Sequence, residues 1–260
     1  MTTALITGAS SGIGAEFAAQ LATQGHDVVL VARSQDKLQA IAEQLAQAHG
    51  VKTTVIVQDL LAADATNQIF SQLEQQEITL DLLVNNAGFG TYGELADGDL
   101  TNYLNMIQLN VTALVELTYR ALQGMKLRRS GSILNISSTA AFQPIPYFAV
   151  YAATKSFVLS FSEALWYECQ PYDINVLSVC PGPTETGFFA VADFPDAMEA
   201  PPGQNLATPK EVVQEALKGL DRGSSNIVTG GLINQILVNA GRFVPREMLT
   251  SGVGRMFKVD

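Results

Sequence analysis

Short apolar runs alternate with stretches of helical periodicity along the whole chain, and this alternation constrains the fold more than any other feature. Residues 4–7, 28–32, 53–57, 80–84, 132–137, 174–179 and 227–229 read as strands, most of them without polar interruption. Between them lie helical patterns at 14–24, 36–47, 65–75, 100–127, 150–170 and 209–220. Phe17, Ala18 and Leu21 share one helix face, as do Leu38, Ile41 and Leu45. Pro171 stops one helix, and Thr208 before Pro209 reads as an N-cap with proline in the first turn. Strands that are apolar on both sides need cover on both faces, which implies a parallel sheet between two helical layers. Right-handed crossovers then predict a doubly wound α/β fold of about seven strands, in one domain spanning 1–260.

Composition agrees with a folded chain carrying a large core, at 47% hydrophobic and 15% charged residues. A formal charge of -10 disfavours phosphate backbones as partners, so nucleic-acid binding is not expected. Cys169 and Cys180 form no CxxC pair and belong to no zinc-like cluster, so they read as buried free thiols and no metal is expected. Neither a leader-like segment nor an apolar run of the ~20 residues that span a bilayer is evident, which predicts a cytoplasmic protein.

The first strand runs into Thr7-Gly8-Ala9-Ser10-Ser11-Gly12-Ile13-Gly14 and then a helix. In that context Gly8 permits a tight turn, Gly12 lets backbone N–H groups approach a pyrophosphate, and Gly14 lets the helix pack close. The helix N-terminus adds partial positive charge. After the second strand comes Arg33-Ser34, where a carboxylate would otherwise bind a ribose 2′-hydroxyl. Arg33 suits a 2′-phosphate, with Ser10 and Ser34 as hydroxyl donors. NADP(H) is therefore expected rather than NAD(H).

Tyr151 and Lys155 lie four residues apart in a helical stretch and share one face. A nearby ammonium favours the phenolate, so Lys155 is expected to lower the pKa of Tyr151 and make it a usable acid and base. Ser138 ends the fifth strand thirteen residues earlier, where its hydroxyl can hold a substrate oxygen. Asn85-Asn86-Ala87-Gly88 ends the fourth strand at the same edge, and Asn110 interrupts the long helix 100–127 with a helix-averse residue. Ligands of open α/β sheets bind outside the carboxyl ends of the strands, where these features converge.

With these motifs in this order the chain resembles the short-chain dehydrogenase/reductase family over nearly its whole length, and in particular an NADP(H)-preferring, ketoacyl- or steroid-reductase-like bacterial branch. The matching residues also include Asp59 after the third strand and Pro181-Gly182 with Thr184 and Thr186. The resemblance implies a Rossmann fold and a carbonyl–alcohol oxidoreductase in which Tyr151 is the acid/base and Ser138 polarises the substrate oxygen. It implies that Lys155 binds the nicotinamide ribose and that Asn110 holds a water linking Lys155 to solvent. It further implies cofactor contacts from the glycine turn, from Asp59 and Leu60 at the adenine, and from Asn86, Ala87 and Gly88. Tyr151, Lys155, Pro181, Gly182, Thr184 and Thr186 would contact the ribose and nicotinamide side.

Substrate choice falls to the loops after the fifth and sixth strands, with Phe142, Tyr147, Phe148, Phe188, Phe189, Phe194 and Met198. Together with Ser138 and Tyr151 they predict a pocket for an apolar ketone, aldehyde or secondary alcohol. The segment 183–208 reads as a lid loop, and 231–260 as an extension that packs on the body or on another subunit. The family resemblance implies a homodimer or homotetramer through helices 100–127 and 150–170. Two other readings use the same turn: a regulatory NADP(H)-binding protein without turnover, and an epimerase or dehydratase that retains its nicotinamide.

Overall fold

The computed structural model describes residues 2–194 and 206–258. Among them seven strands form one parallel sheet: β1 (Thr3–Thr7), β2 (Asp27–Ala32), β3 (Thr53–Val57), β4 (Leu82–Asn85), β5 (Gly131–Ile136), β6 (Ile174–Cys180) and β7 (Asn226–Val228). Their order is β3-β2-β1-β4-β5-β6-β7. The chain starts at the centre, winds outward to β3, and then crosses back to β4. That reversal opens a crevice at the carboxyl ends of β1 and β4, where doubly wound sheets bind ligands.

Period-two alternation divides the strands between two cores. Ala4, Ile6, Val28, Leu30, Val84, Leu134 and Leu177 face one side. There they pack on α1 (Gly12–Thr23), α2 (Gln35–His49) and α8 (Pro209–Asp221) through Phe17, Leu21, Leu38, Leu45 and Val212. Leu5, Val29, Leu83, Ile133 and Val176 face the other side. Their cover is α3 (Ala65–Gln75), α5 (Leu114–Arg128) and α6 (Ala149–Cys169). The expected strand at 53–57 and helix at 65–75 match β3 and α3 end to end. Thr208 caps α8 in a reciprocal capping box with Glu211. Cys169 and Cys180 are free and buried.

The long helix expected over 100–127 is not one helix. It divides into α4 (Leu100–Ile107), a π-helical segment (Gln108–Ala113) and α5. Asn110 sits within the π segment. Its buried amide bonds outside the helix, which accounts for a local widening at the position where helix-averse chemistry stood out.

A buried polar row sets α6 on the sheet. Asn85 Nδ2 donates to Asn135 Oδ1 at 2.9 Å and to Thr118 Oγ1 at 2.9 Å. Asn135 Nδ2 donates to Ser162 Oγ on α6 at 2.9 Å. Apolar packing tolerates sliding, but these directional bonds do not, so they fix the height of α6 above β5.

Past β6 come α7 (Phe188–Val191) and α8, and past β7 come α9 (Leu232–Ala240) and α10 (Arg246–Phe257). The extension packs on its own body: Leu249, Val253 and Phe257 on one face of α10 join the cluster containing Tyr151. No helix among the described residues is long and apolar enough to cross a membrane.

Phe17 is fully buried between α1 and the sheet. Phe17→Ala is expected to lower unfolding free energy by about 3–5 kcal/mol, read as a shifted denaturant midpoint at unchanged slope.

Candidate active site

The first turn is built by close approach. Gly8 and Gly12 adopt φ of +65° and +54°. A Cβ on Gly14 would overlap the Gly8 carbonyl oxygen, so the helix can reach the strand only with glycine there. Asn86 braces the turn from β4: its Nδ2 donates to Thr7 O at 2.9 Å and to Gly8 O at 3.4 Å. The backbone N–H groups of Asn86 and Ala87 both donate to Thr7 Oγ1 at 3.0 Å. The first turn of α1 carries no acidic residue, and the Ser11 side chain makes no capping bond. That leaves an N-terminus of backbone donors without a competing carboxylate, a donor set that fits a pyrophosphate. Gly12 also backs onto Thr186, whose Cγ2 would lie 3.2 Å from a Cβ there. The loop after β6 therefore closes over the turn.

The second group assembles around α6. Tyr151 and Lys155 are buried, at 7% and 6% exposure. Ser138 stands at the N-cap of a short 3-10 turn (Thr139–Phe142) after β5, where its Oγ accepts from Ala140 N at 3.1 Å and lies near enough to the Tyr151 phenol to act on its pKa. Lys155 Nζ lies 5.6 Å from the Tyr151 ring centroid and donates to Ile136 O at 2.8 Å. Ser137 Oγ donates to Lys155 O at 2.7 Å, pinning α6 to the end of β5. Asn110 accepts from Phe89 N at 3.1 Å and donates to Phe89 O at 2.9 Å and Thr154 Oγ1 at 3.1 Å. Thr154 in turn donates to Tyr151 O at 2.7 Å. The Asn110 amide is thus engaged with protein groups on both of its polar atoms. Gly88 passes between the two: a Cβ there would lie 2.9 Å from Asn110 Oδ1 and 3.5 Å from Lys155 Nζ.

The electrostatics correct one expectation. Burial pushes the Tyr151 phenol up to about 12, with the Ser138 hydrogen bond pulling the other way. Burial likewise pushes Lys155 down to about 8, opposed by Cys180. Desolvation penalises the charged form of both partners, and the ammonium is directed at a backbone carbonyl rather than the phenol. The pair at rest is therefore a firmly protonated phenol beside a readily deprotonated lysine.

Rings wall the phenol. Tyr151 stacks on Phe148 with centroids 4.3 Å apart and meets Phe188 at 5.3 Å. Phe189 and Phe194 join through a T-shaped contact at 5.3 Å, and Tyr147 reaches Tyr92 at 6.1 Å. Phe142, half-buried, makes no ring contact among the described residues, and Met198 lies outside them. The base of the 183–208 loop is zipped: Glu185 N donates to Ala207 O at 2.9 Å and Ala207 N to Pro183 O at 3.1 Å. Thr184 is buried against Gly182 O, and Pro181 O accepts from Thr139 N at 2.9 Å.

Arg33, Ser34 and Asp59 stand apart from both groups, exposed at the carboxyl ends of β2 and β3, with Leu60 buried behind. Asp59 Oδ1 accepts from Leu61 N at 3.0 Å and so caps its own turn. Ser10 is half-buried in the glycine turn, and Ile13 packs on the first core.

Several contributors escape a reading by motif. Gly90 lets the chain pass over Tyr151, since a Cβ would lie 3.0 Å from its Cδ2. Thr154 lies inside the Tyr-to-Lys interval and gave a signal only as a polar residue on the inward face. Asn234 Nδ2 donates to Thr229 O at 2.9 Å and backs onto Gly182. Tyr92 bonds the Phe257 carbonyl and thereby ties the loop after β4 to the C-terminal helix.

Comparison with known proteins places this arrangement. The family model for short chain dehydrogenase matches residues 2–193. Mouse 17-beta-hydroxysteroid dehydrogenase type 3 is 32% identical over 259 residues, covering 98% of this chain and 80% of its own. Very-long-chain 3-oxoacyl-CoA reductase of Macaca fascicularis is 35% identical over 242 residues, 91% of this chain and 74% of its own. A short-chain dehydrogenase from Sphingobium yanoikuyae, solved in complex with NADPH, superposes with a TM-score of 0.84 at 32% identity, over 96% of this chain and 95% of that one. The chain is an oxidoreductase of the short-chain dehydrogenase family.

Proposed function

We propose that the chain reduces an apolar ketone or aldehyde with NADPH, and oxidises the alcohol in reverse, with Tyr151 as the acid/base. The observation that carries this reading is the buried Tyr151 phenol, one helical turn from the buried Lys155 and beside Ser138. The names of two relatives, a hydroxysteroid dehydrogenase and a 3-oxoacyl-CoA reductase, support carbonyl–alcohol interconversion on a largely apolar substrate. The ring wall supports the same substrate class.

Backbone donors at Gly12–Gly14 would hold the pyrophosphate, Arg33 with Ser10 and Ser34 the 2′-phosphate, and Asp59 with Leu60 the adenine end. Asn86, Ala87 and Gly88, with Lys155 and the stretch from Pro181 to Thr186, would hold the ribose and nicotinamide end. The nicotinamide, when bound, supplies the hydride. Ser138 Oγ donates to the substrate oxygen and orients it toward the phenol. As negative charge grows on that oxygen it becomes more basic than a phenolate, so Tyr151 gives up its proton even though its resting pKa is high. Lys155, cationic at neutral pH, sits close enough to stabilise the phenolate left behind. Asn110 acts by position, joining the loop after β4 to α6. We also read the chain as a cytoplasmic homo-oligomer; the apolar residues Leu100, Leu104, Ile107 and Phe157, exposed on α4 and α6, support association through those helices.

Three measurements check this reading. Tyr151→Phe is expected to lower kcat for NADPH-dependent ketone reduction by roughly 10²–10⁴-fold while NADPH binding, followed by fluorescence, is retained. Near wild-type turnover would remove Tyr151 from the mechanism. Arg33→Ala is expected to raise KM for NADPH by roughly ten- to a hundredfold, the loss of a charge-assisted contact, and to leave KM for NADH unchanged. Lys155 is cationic below its pKa and loses charge as pH rises through it. Carbon-13 NMR of labelled lysine should therefore show Lys155 titrating at about 8, a resonance missing in Lys155→Met.

A further inference from the structure

The apolar cluster around Tyr151 draws on the loop after β4, on residues 145–148, on the segment 188–194 and on α10. Tyr92, half-buried in the first of these, meets all three of the others. Its backbone N–H donates to Ala192 O at 2.9 Å, which fastens the segment following α7. Its hydroxyl donates to the Phe257 carbonyl at the end of α10. Its ring lies 5.1 Å from Phe194 and 6.1 Å from Tyr147. The next residue, Gly93, donates its N–H to Tyr147 O at 2.8 Å.

These contacts converge on Phe148. Tyr147 adopts a φ of +64°, a left-handed conformation that a residue with a Cβ keeps only where its surroundings over-determine it. The bond from Gly93 and the contact with the Tyr92 ring are two of those holds. Phe148 follows directly and is the ring that stacks on Tyr151. Phe194 meets Phe148 edge-on at 4.9 Å, so Tyr92 acts on that ring by a second route. Two residues before Tyr92 the same loop presses on Phe148 itself, since a Cβ at Gly90 would lie 2.6 Å from Phe148 Cζ.

We infer that Tyr92 is a positioning residue for substrate size. It sets the distance of the 188–194 segment and of α10 from Phe148, and so fixes how bulky a carbonyl compound reaches the phenol. Its hydroxyl carries the part of this task that concerns α10, and its ring and backbone carry the rest. The glycine turn is braced by other residues, Asn86 and Thr186, so the effect falls on the substrate and not on the cofactor. The inference rests on the proposed carbonyl substrate class.

Tyr92→Ala and Tyr92→Phe test it, with acetophenone as the smaller ketone and benzophenone as the larger. Tyr92→Ala is expected to raise the benzophenone-to-acetophenone ratio of kcat/KM by roughly tenfold or more, the scale on which an apolar pocket discriminates small differences in bulk. The gain should lie in a lower KM for benzophenone, with KM for NADPH unchanged. Tyr92→Phe keeps the ring and should move the ratio the same way by less. An unchanged ratio in Tyr92→Ala overturns the inference. An equal loss on both ketones overturns it too, since that marks a prop for the fold alone. Should Tyr92→Ala lose its cooperative melting transition, the ratio in Tyr92→Phe decides in its place. Calorimetric binding of both ketones in the presence of NADP+ separates this role from the reaction. If the wild type turns over neither ketone but the ratio of their binding constants shifts in the variant, the positioning role stands and the proposed reaction fails. Binding constants that keep their ratio, or binding of neither ketone, overturn the inference.

Discussion

The carboxyl edge of the sheet depends on one amide. Asn110 joins three pieces of chain distant in sequence: the loop after β4 through both backbone groups of Phe89, the π segment on which it sits, and α6 through Thr154. The Asn110 side chain is buried, and so is its bond to Thr154, so losing that bond would strand a polar group away from water. Thr154 passes the constraint to the backbone of Tyr151, and Ser137 applies a second one at Lys155. The two side chains that matter most to the chemistry are therefore located by bonds to their main chains, and Lys155 is held by a further bond from its Nζ to Ile136 O.

Burial of that pair explains its unusual resting state. A phenol and an ammonium four residues apart would in water approach the pKa values of free side chains, with Lys155 helping Tyr151 ionise. In the pocket the cost of removing each charge from water is larger than their mutual help, and the two pKa values are driven toward the neutral forms of both groups. The neutral thiol of Cys180, itself pushed up to about 11 by burial, adds to the sense of an environment that resists charge. A site arranged in this way holds its proton until a reacting oxygen demands it.

Much of the architecture was legible in the chain. Parallel strands buried on both sides leave uninterrupted apolar runs, and β3 and α3 were bounded to the residue. The glycine turn, Ser138, Tyr151 and Lys155 were visible not one by one but together, because they follow one another in order at the ends of strands and, for Tyr151 and Lys155, at helical spacing. What stayed hidden is what depends on three dimensions. Helical periodicity cannot distinguish a π segment from continuous α-helix over six residues, so Asn110 signalled an anomaly without its form. The direction of the Tyr151 shift depends on burial of the whole pair, which spacing does not report. Gly90 and Asn234 serve by fitting against distant neighbours, and neither carries a local pattern.

The ladder between Thr184 and Ala207 has a consequence for how such a chain can change. Because the two ends of the loop are fastened to each other, a longer segment between them adds only about 0.6 kcal/mol per doubling of its length. Its described residues are tied to the body in their own right: Thr186 backs onto Gly12, Ala192 O accepts from Tyr92 N, and Phe188 meets Tyr151. A change in the length of this loop therefore costs the fold little, whereas a change at Phe188 reaches the phenol directly.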